Sequence, residues 1–248
     1  MIIDTHAYLS RWPFRRLFGD EPAEFLSKMR EQGIGQAWVG SFDGLLHRDI
    51  SAVNARLAAD CKGILVPFGT VNPALPDWQE DLRRCREVHR MKGIRLHPNY
   101  HGYTLADPRF TELLRVATQT GLIVQLVVTM EDDRTQHPLL QVPNVDLGPL
   151  AGIVPTVPGL RLTVHNQRHD VPAKKIAEAG QVWFDFGGVE RVRGVADLAR
   201  QISTERVIFG SHFPLFYVES AIFKMRESGL SAKDTQAIEE ANARRLLG

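Results

Sequence analysis

Histidine residues recur where short apolar runs of the sequence end, a position from which imidazole groups can move protons or bind a metal ion. With a pKa near 6.5, imidazole suits general acid–base catalysis close to neutral pH. Four of the nine histidines lie at or just after the end of a predicted strand: His6, His97, His165 and His212. Four more follow strands in predicted loops, and one lies on a predicted helix: His47, His101, His137 and His169, and then His89. Clustering on one reactive face explains this pattern better than the alternative, a general preference of histidine for loops and caps.

Basic side chains near the same strand ends predict a pocket for a small anionic substrate. Lys92 precedes the predicted fourth strand, and Arg95 and His97 share one side of it. A guanidinium recognises a carboxylate through two parallel hydrogen bonds and keeps its charge at any working pH. Arg134 and His137 lie in the longest irregular segment and complete this candidate set. The alternative for Arg95 is a structural ion pair inside the protein.

The elements that position these groups are short apolar runs alternating with longer amphipathic stretches. The predicted strands cover residues 2–6, 36–41, 64–71, 93–97, 122–129, 161–165, 182–186 and 206–211. Continuous apolar runs are typical of strands covered on both faces, and intervening helices imply parallel pairing. We predict an α/β fold, a closed (β/α)8 barrel of the TIM type, with residues 1–248 as one domain. A doubly wound open sheet is the alternative, but the first strand lacks the glycine-rich phosphate turn expected there.

The two ends of the chain carry the most informative residues, because closing a barrel makes its first and last strands neighbours. Asp4, His6 and Tyr8 point to the same side of the first strand by the two-residue alternation of a strand. His212 follows the eighth strand, and Pro214 ends its pairing. We therefore predict that His6 and His212 face a shared, solvated cavity. For His6 alone, a hydrogen bond to the backbone is an equal alternative.

Composition excludes several classes of function. The chain of 248 residues is 44% hydrophobic and 24% charged, as in ordinary globular proteins. Its 30 basic and 29 acidic residues leave a net charge of +1, so we expect no nucleic-acid or membrane binding. Two cysteines, and Asp4 where a secretory signal would be basic, indicate reduced thiols and a cytoplasmic protein. A homodimer is compatible with a barrel, although no sequence feature indicates one.

Five short motifs occur in order along the sequence. They are Asp4-Thr5-His6-Ala7-Tyr8, Lys92-Gly93-Ile94-Arg95-Leu96-His97-Pro98, Phe184-Asp185-Phe186-Gly187-Gly188, Phe209-Gly210-Ser211-His212-Phe213-Pro214 and the helical ending Glu240-Ala241-Asn242-Ala243-Arg244-Arg245-Leu246-Leu247. Together they resemble the motifs of the amidohydrolase-related (amidohydrolase 2) family of the amidohydrolase superfamily. The resemblance implies a distorted (β/α) barrel that carries metal-dependent hydrolase or decarboxylase chemistry.

The sequence departs from this family at its metal ligands. Tyr8 stands where the family has a second histidine, and His212 stands where it has an aspartate. The fifth strand, around Gln125, offers no ligand. A catalytic zinc site needs about three protein ligands, and a protonated phenol is a poor one. We therefore expect no cofactor and no tightly bound metal; zinc, if bound, would use His6, His212 and, if its side chain points inward, His165.

By analogy with metal-independent lactonases of the same superfamily, the resemblance implies a hydrolase acting on a small carboxylate-bearing lactone or similar cyclic substrate. His212 would be the general base, and His6 or Tyr8 the proton donor or oxyanion partner. Asp4 would orient His6, and Asp185 would fix His212 or a water molecule.

Two alternatives to a hydrolase remain open. One is a decarboxylase on the same fold. The other is a barrel that has lost catalysis and binds a ligand or partner, in which apolar side chains fill the mouth. Under the enzyme interpretation the substrate would contact Lys92, Arg95, His97, Arg134, His137 and His165.

Overall fold

A single parallel sheet forms the centre of the molecule in the computed structural model, which describes residues 1–168 and 172–248. Seven strands pair in sequence order, as predicted for an α/β fold. They are β1 (Ile2–Leu9), β2 (Ile34–Ser41), β3 (Leu65–Thr70), β4 (Gly93–Leu96), β5 (Ile123–Val127), β6 (Leu162–His165) and β7 (Val182–Phe184). His169, predicted to lie in a loop, falls outside the described residues.

Helices connect successive strands and cover the outside of the sheet. Proline at a first turn explains why one helix begins at Pro22. Another helix begins after Asp107, whose side chain caps it by accepting a hydrogen bond from the Arg109 N–H. The α-helices are α1 (Pro22–Glu31), α2 (Ile50–Asp60), α3 (Trp78–Glu87), α4 (Pro98–His101), α5 (Pro108–Gln119), α6 (Leu150–Ile153), α7 (Ala173–Ala179), α8 (Gly194–Ile202), α9 (Val218–Glu227), α10 (Ala232–Gln236) and α11 (Asn242–Leu247). Within the described ranges, no helix has both the length and the apolar character required to cross a bilayer.

The predicted eighth strand is not a regular strand. Residues 207–213 instead join the two outer strands of the sheet through isolated contacts. The Ile208 N–H donates to the Phe184 carbonyl at 3.0 Å, and the Thr5 N–H donates to the Phe209 carbonyl at 2.9 Å. His212 has a left-handed backbone, with φ of 59°, so the chain cannot stay extended to the end of this segment.

A bulge in β1 determines which of its side chains face the interior. Asp4 pairs with Ala37 and Ala7 with Val39, so three steps along β1 match two along β2. The extra residue breaks the simple alternation that the sequence predicts for β1. The interior at the amino-terminal ends of the strands is filled by Ile3, Trp38, Phe68, Ile123, Trp183 and Ile208.

Asp81, buried on α3, gives a prediction for stability against pH. Burial, reinforced by Asp77 and Asp49, raises its pKa from 3.8 to about 6. Because the folded-state pKa lies above the unfolded one, the free energy of unfolding falls as the pH rises from about 4 to about 6 and stays at the lower level above that. Asp81→Asn should therefore raise the unfolding free energy at pH 8 by up to about 3 kcal/mol and leave it nearly unchanged at about pH 3.

Urea unfolding of wild type and Asp81→Asn at the two pH values measures this difference. Asp60→Asn, at an exposed position, is the matched control and should show no such dependence on pH. An equal effect of Asp81→Asn at both pH values would contradict the assignment.

Candidate active site

The structure brings His6 and His212 into direct contact, as the sequence predicts. Their ring centroids are 4.4 Å apart, and His212 Nδ1 lies 3.1 Å from His6 Nε2. The other ring nitrogen of His212 donates to the Met130 carbonyl. Both side chains are fully buried, however, so the predicted shared solvated cavity is wrong in this structure. The two ring planes are tilted by 50° to each other inside the protein.

The Asp185 carboxylate, rather than a water-filled space, links this pair to a third histidine. Asp185 Oδ2 accepts hydrogen bonds from His6 Nδ1 at 2.8 Å and from His165 Nδ1 at 2.9 Å. Its other oxygen accepts from the Asn166 N–H at 2.8 Å. Asp185, predicted to fix His212 or a water molecule, instead contacts His6 and His165 directly. His165 points inward, which settles its register.

Asp4 serves the backbone rather than the ring of His6, contrary to the prediction. Its Oδ1 accepts from the N–H groups of Ser211 at 3.0 Å and His6 at 3.1 Å, and its Oδ2 accepts from the Ser211 hydroxyl. Burial raises the pKa of Asp4 to about 6. Asp4 therefore ties β1 to the 207–213 segment and so holds His6 and His212 at their spacing.

Tyr8 and His97 form a second buried polar pair at the carboxyl end of β4. The Tyr8 hydroxyl lies 2.9 Å from His97 Nε2. Burial raises the pKa of Tyr8 and lowers that of His97, so both stay neutral. Apolar side chains cover the pair, and the Phe42 ring stacks on Tyr8 at 4.7 Å. Tyr8 thus packs in an apolar cluster that also contains Trp12, Phe42, Leu45, Val127 and Met130.

Arg95 is bound to the protein itself, so it has a structural role instead of the predicted substrate contact. Its guanidinium donates to the carbonyls of Ala7 at 2.7 Å and Trp38 at 3.1 Å and to Gln125 Oε1 at 2.8 Å. The side chain is fully buried and lies over the Tyr8 ring, 4.6 Å from its centroid. The Thr5 carbonyl accepts a longer bond of 3.4 Å.

The other predicted substrate contacts separate into three places. Lys92 is exposed at the amino-terminal end of β4, on the far side from the histidines, so its predicted role is wrong. Arg134 lines a cavity of about 190 Å³ at the carboxyl ends of the strands. His137 is exposed and lines a neighbouring cavity of about 180 Å³.

The first of these cavities, which we call the mouth cavity, lies against the histidine cluster. Its wall contains Thr129, Glu131, Asp132, Arg134, Asn166, Arg168, Gly188, Glu190 and Phe216. The Phe216 ring is 4.9 Å from the His212 ring, and the backbone of Asn166 contacts Asp185. The mouth cavity is therefore separated from the buried rings by the thickness of one side chain.

Asn166, which sequence reasoning noted only as the neighbour of His165, is part of this wall. Both Asn166 and His212 have left-handed backbones, with φ of 52° and 59°. Such conformations are uncommon outside glycine and concentrate at functional sites. The sequence signal for Asn166 was its position directly after a strand that ends in histidine.

A metal ion fits the donor set formed by His6, His165 and Asp185. One nitrogen or oxygen atom from each lies within 4.8 Å of the others, and two imidazoles with one carboxylate are ligands typical of catalytic zinc and related ions. Burial lowers the pKa of both histidines, which keeps their rings neutral as ligation requires. Although burial opposes it, contact with His165 and His6 lowers the pKa of Asp185.

The donor group contains Asp185 in place of the predicted His212, and its fit to a metal ion argues against the expectation of a metal-free site.

Parallel strands that end in a buried cluster of imidazole and carboxylate groups are typical of α/β enzymes with active sites at the carboxyl ends of the strands. The sequence matches the amidohydrolase family over residues 3–248. The chain therefore belongs to that family, as its motifs predicted. No curated protein matches the sequence.

Solved structures share the fold at low sequence identity. The 2,6-dihydroxybenzoate decarboxylase from Rhizobium is 14% identical with a TM-score of 0.77, covering 99% of this chain and 98% of its own. The 5-carboxyvanillate decarboxylase from Novosphingobium aromaticivorans, with bound manganese, is 16% identical with a TM-score of 0.77, covering 100% and 97%. A putative amidohydrolase from Staphylococcus aureus is 13% identical with a TM-score of 0.76, covering 100% and 99%.

Proposed function

We propose that this protein is a lyase that decarboxylates a small hydroxylated aromatic acid with the help of a divalent metal ion. The observation that carries the proposal is the buried donor group of His6, His165 and Asp185 beside the mouth cavity. The decarboxylases of the same fold support this alternative over the lactone hydrolase first expected. We also propose that residues 207–213 take the eighth position of a closed (β/α)8 barrel formed by one domain.

The overall chemistry matches a buried site. Decarboxylation replaces the carboxylate carbon with one proton and releases CO2, so it consumes no water. Hydrolysis requires in addition a water molecule beside the group attacked, whereas the histidine rings of the site are fully buried. A site that excludes solvent favours the reaction in which water takes no part.

The chain's own residues have separable roles in this proposal. Arg134 and Arg168 both line the mouth cavity near Asp132, and a guanidinium group there can bind the substrate carboxylate. When bound, the metal ion would supply a Lewis acid next to the substrate oxygens. His212 holds the proton that reaches the substrate carbon, and Phe216 separates that ring from the mouth cavity.

The experiment is a test for CO2 release after loading the purified protein with Mn²⁺ or Zn²⁺. 2,6-Dihydroxybenzoate and 5-carboxyvanillate are the first substrates, because the relatives of known structure act on them. A panel of small lactones is assayed in parallel. Release of CO2 from at least one acid supports the proposal; lactone opening without any CO2 release would restore the hydrolase interpretation.

His212→Asn should lower the rate of CO2 release by at least about 100-fold, because it removes the proton carrier. Asparagine tolerates the left-handed backbone at this position better than alanine would, so the fold should be retained. The measurement is turnover under saturating metal, with the melting temperature as the check on folding. A folded variant with wild-type turnover would eliminate this assignment.

A second candidate function is ligand or partner binding without catalysis. The apolar cluster over Tyr8 favours it, because a mouth filled by such side chains was the expectation for an inactive barrel. This candidate predicts that neither the acids nor the lactones react, with or without metal.

A further inference from the structure

Asn166 lines the mouth cavity and carries a hydrogen-bond acceptor that none of the described residues uses. The side chain is only 1% exposed. Its amide oxygen, Oδ1, is buried and receives no hydrogen bond from the residues that the structure describes. Most buried polar atoms are paired, and leaving one unpaired costs about 1–3 kcal/mol. A ligand that donates to this oxygen would remove that cost.

The direction of the amide is fixed by the rest of the residue. Asn166 Nδ2 donates to the Thr129 carbonyl at 2.7 Å, and the backbone N–H donates to Asp185 Oδ1 at 2.8 Å. With its nitrogen bound on one side, the amide must present its oxygen on the other. The acceptor therefore has a defined direction, on a residue whose backbone N–H binds the carboxylate of the candidate metal group.

Gly188 keeps the space beside this oxygen open. A Cβ atom at position 188 would lie 2.8 Å from Asn166 Oδ1 and 2.5 Å from the Gln167 carbonyl, so a larger residue would crowd the acceptor. Gly188 also lines the mouth cavity. The glycine therefore lies both on the cavity wall and beside Oδ1, so a ligand in the cavity has no side chain to displace at position 188 to reach the oxygen.

The chemistry of the cavity wall defines what would bind there. Beside three carboxylates, the wall carries two guanidinium groups that suit a ligand carboxylate, and the Asn166 oxygen suits an O–H donor. The carboxylates belong to Glu131, Asp132 and Glu190, and the guanidinium groups to Arg134 and Arg168. We propose that Asn166 Oδ1 accepts a hydrogen bond from a phenolic hydroxyl of the substrate and so selects hydroxylated over methoxylated aromatic acids. This inference rests on the proposed function and assigns Asn166 as its specificity-determining residue.

The test compares binding of ligand pairs by calorimetry. The probes are 2-, 3- and 4-hydroxybenzoate, each against its methyl ether, with wild type and Asn166→Leu. At one ring position or more, wild type should bind the hydroxyl compound about 10- to 100-fold more tightly than the ether. Asn166→Leu, nearly the same size but without the acceptor, should lose that preference.

Two further variants separate this effect from damage to the fold. Asn166→Asp keeps the acceptor oxygen and should keep the preference for the hydroxyl. Asn99→Leu is the matched control, because Asn99 also donates its amide to backbone carbonyls, of Val128 and Pro143, but lines a different cavity. Its preference should equal that of wild type.

The inference is overturned if wild type binds no hydroxyl compound more tightly than its ether, or if Asn166→Leu keeps the full preference. Either result with CO2 release intact leaves the proposed function standing. The reverse result, selective binding without CO2 release from any acid, supports the acceptor assignment and removes the decarboxylase.

Discussion

Replacement of Arg95 by methionine is expected to lower the free energy of unfolding by about 3–5 kcal/mol, the largest stability effect we predict. The guanidinium holds the carbonyls of Ala7 and Trp38 and the side chain of Gln125, all of them buried. Methionine fills much of the volume but donates no hydrogen bond, so these acceptors lose their partner. Relief from burying a charge offsets only part of that loss.

Equilibrium unfolding in urea measures the Arg95→Met effect, with Arg83→Met as the control. Arg83 is exposed and pairs with Glu80 and Glu87 on the surface, where such ion pairs contribute about 0–1 kcal/mol. If the two variants lose equal stability, Arg95 does not brace the interior. The space around the Arg95 guanidinium is also tightly filled. A Cβ atom at position 40, where the chain has glycine, would lie only 2.9 Å from Arg95 Nη1.

Replacement of Asp185 by asparagine is expected to have the largest effect on the site. The variant keeps the shape of the side chain but loses the negative charge that faces His6 and His165. Metal affinity should fall by at least about 100-fold, and CO2 release by about 1000-fold or more. Metal titration by calorimetry gives the first value and does not depend on knowing the substrate.

Asp197→Asn is the matched control for Asp185→Asn, because Asp197 is exposed on α8 and pairs only with Arg200 in the contacts described. It should bind metal and release CO2 as wild type does. Metal binding by Asp185→Asn at wild-type affinity would show that the ion, if any, is held elsewhere.

Much of the fold could be predicted because strands buried on both faces leave continuous apolar runs in the sequence. Each of the first seven predicted strands overlaps a strand of the structure. The meeting of His6 with His212 was also predictable, since it follows from joining the two ends of the sheet. The irregular form of the predicted eighth strand was not predictable, because an apolar run does not reveal that the segment pairs only through isolated bridges and turns left-handed at His212.

The partners of the acidic residues could not be predicted from sequence. The bulge in β1 changes which side chains share a face, so two-residue alternation assigns Asp4 to the wrong role. Asp185 is distant in sequence from His6, and only the three-dimensional path of β7 brings them together. The prediction for Lys92 was wrong because this residue precedes β4. It therefore lies at the amino-terminal end of the strand, opposite the end where the histidines lie.

The junction between β1 and residues 207–213 has a consequence for synthesis of the chain. The first strand emerges from the ribosome early, but the Thr5 N–H cannot form its hydrogen bond until the Phe209 carbonyl, 204 positions later, has been synthesised. Until then, β1 is an exposed edge strand whose unpaired backbone groups can bind other chains. A product truncated before residue 207 would leave both edge strands, β1 and β7, without their partner segment and should aggregate during expression.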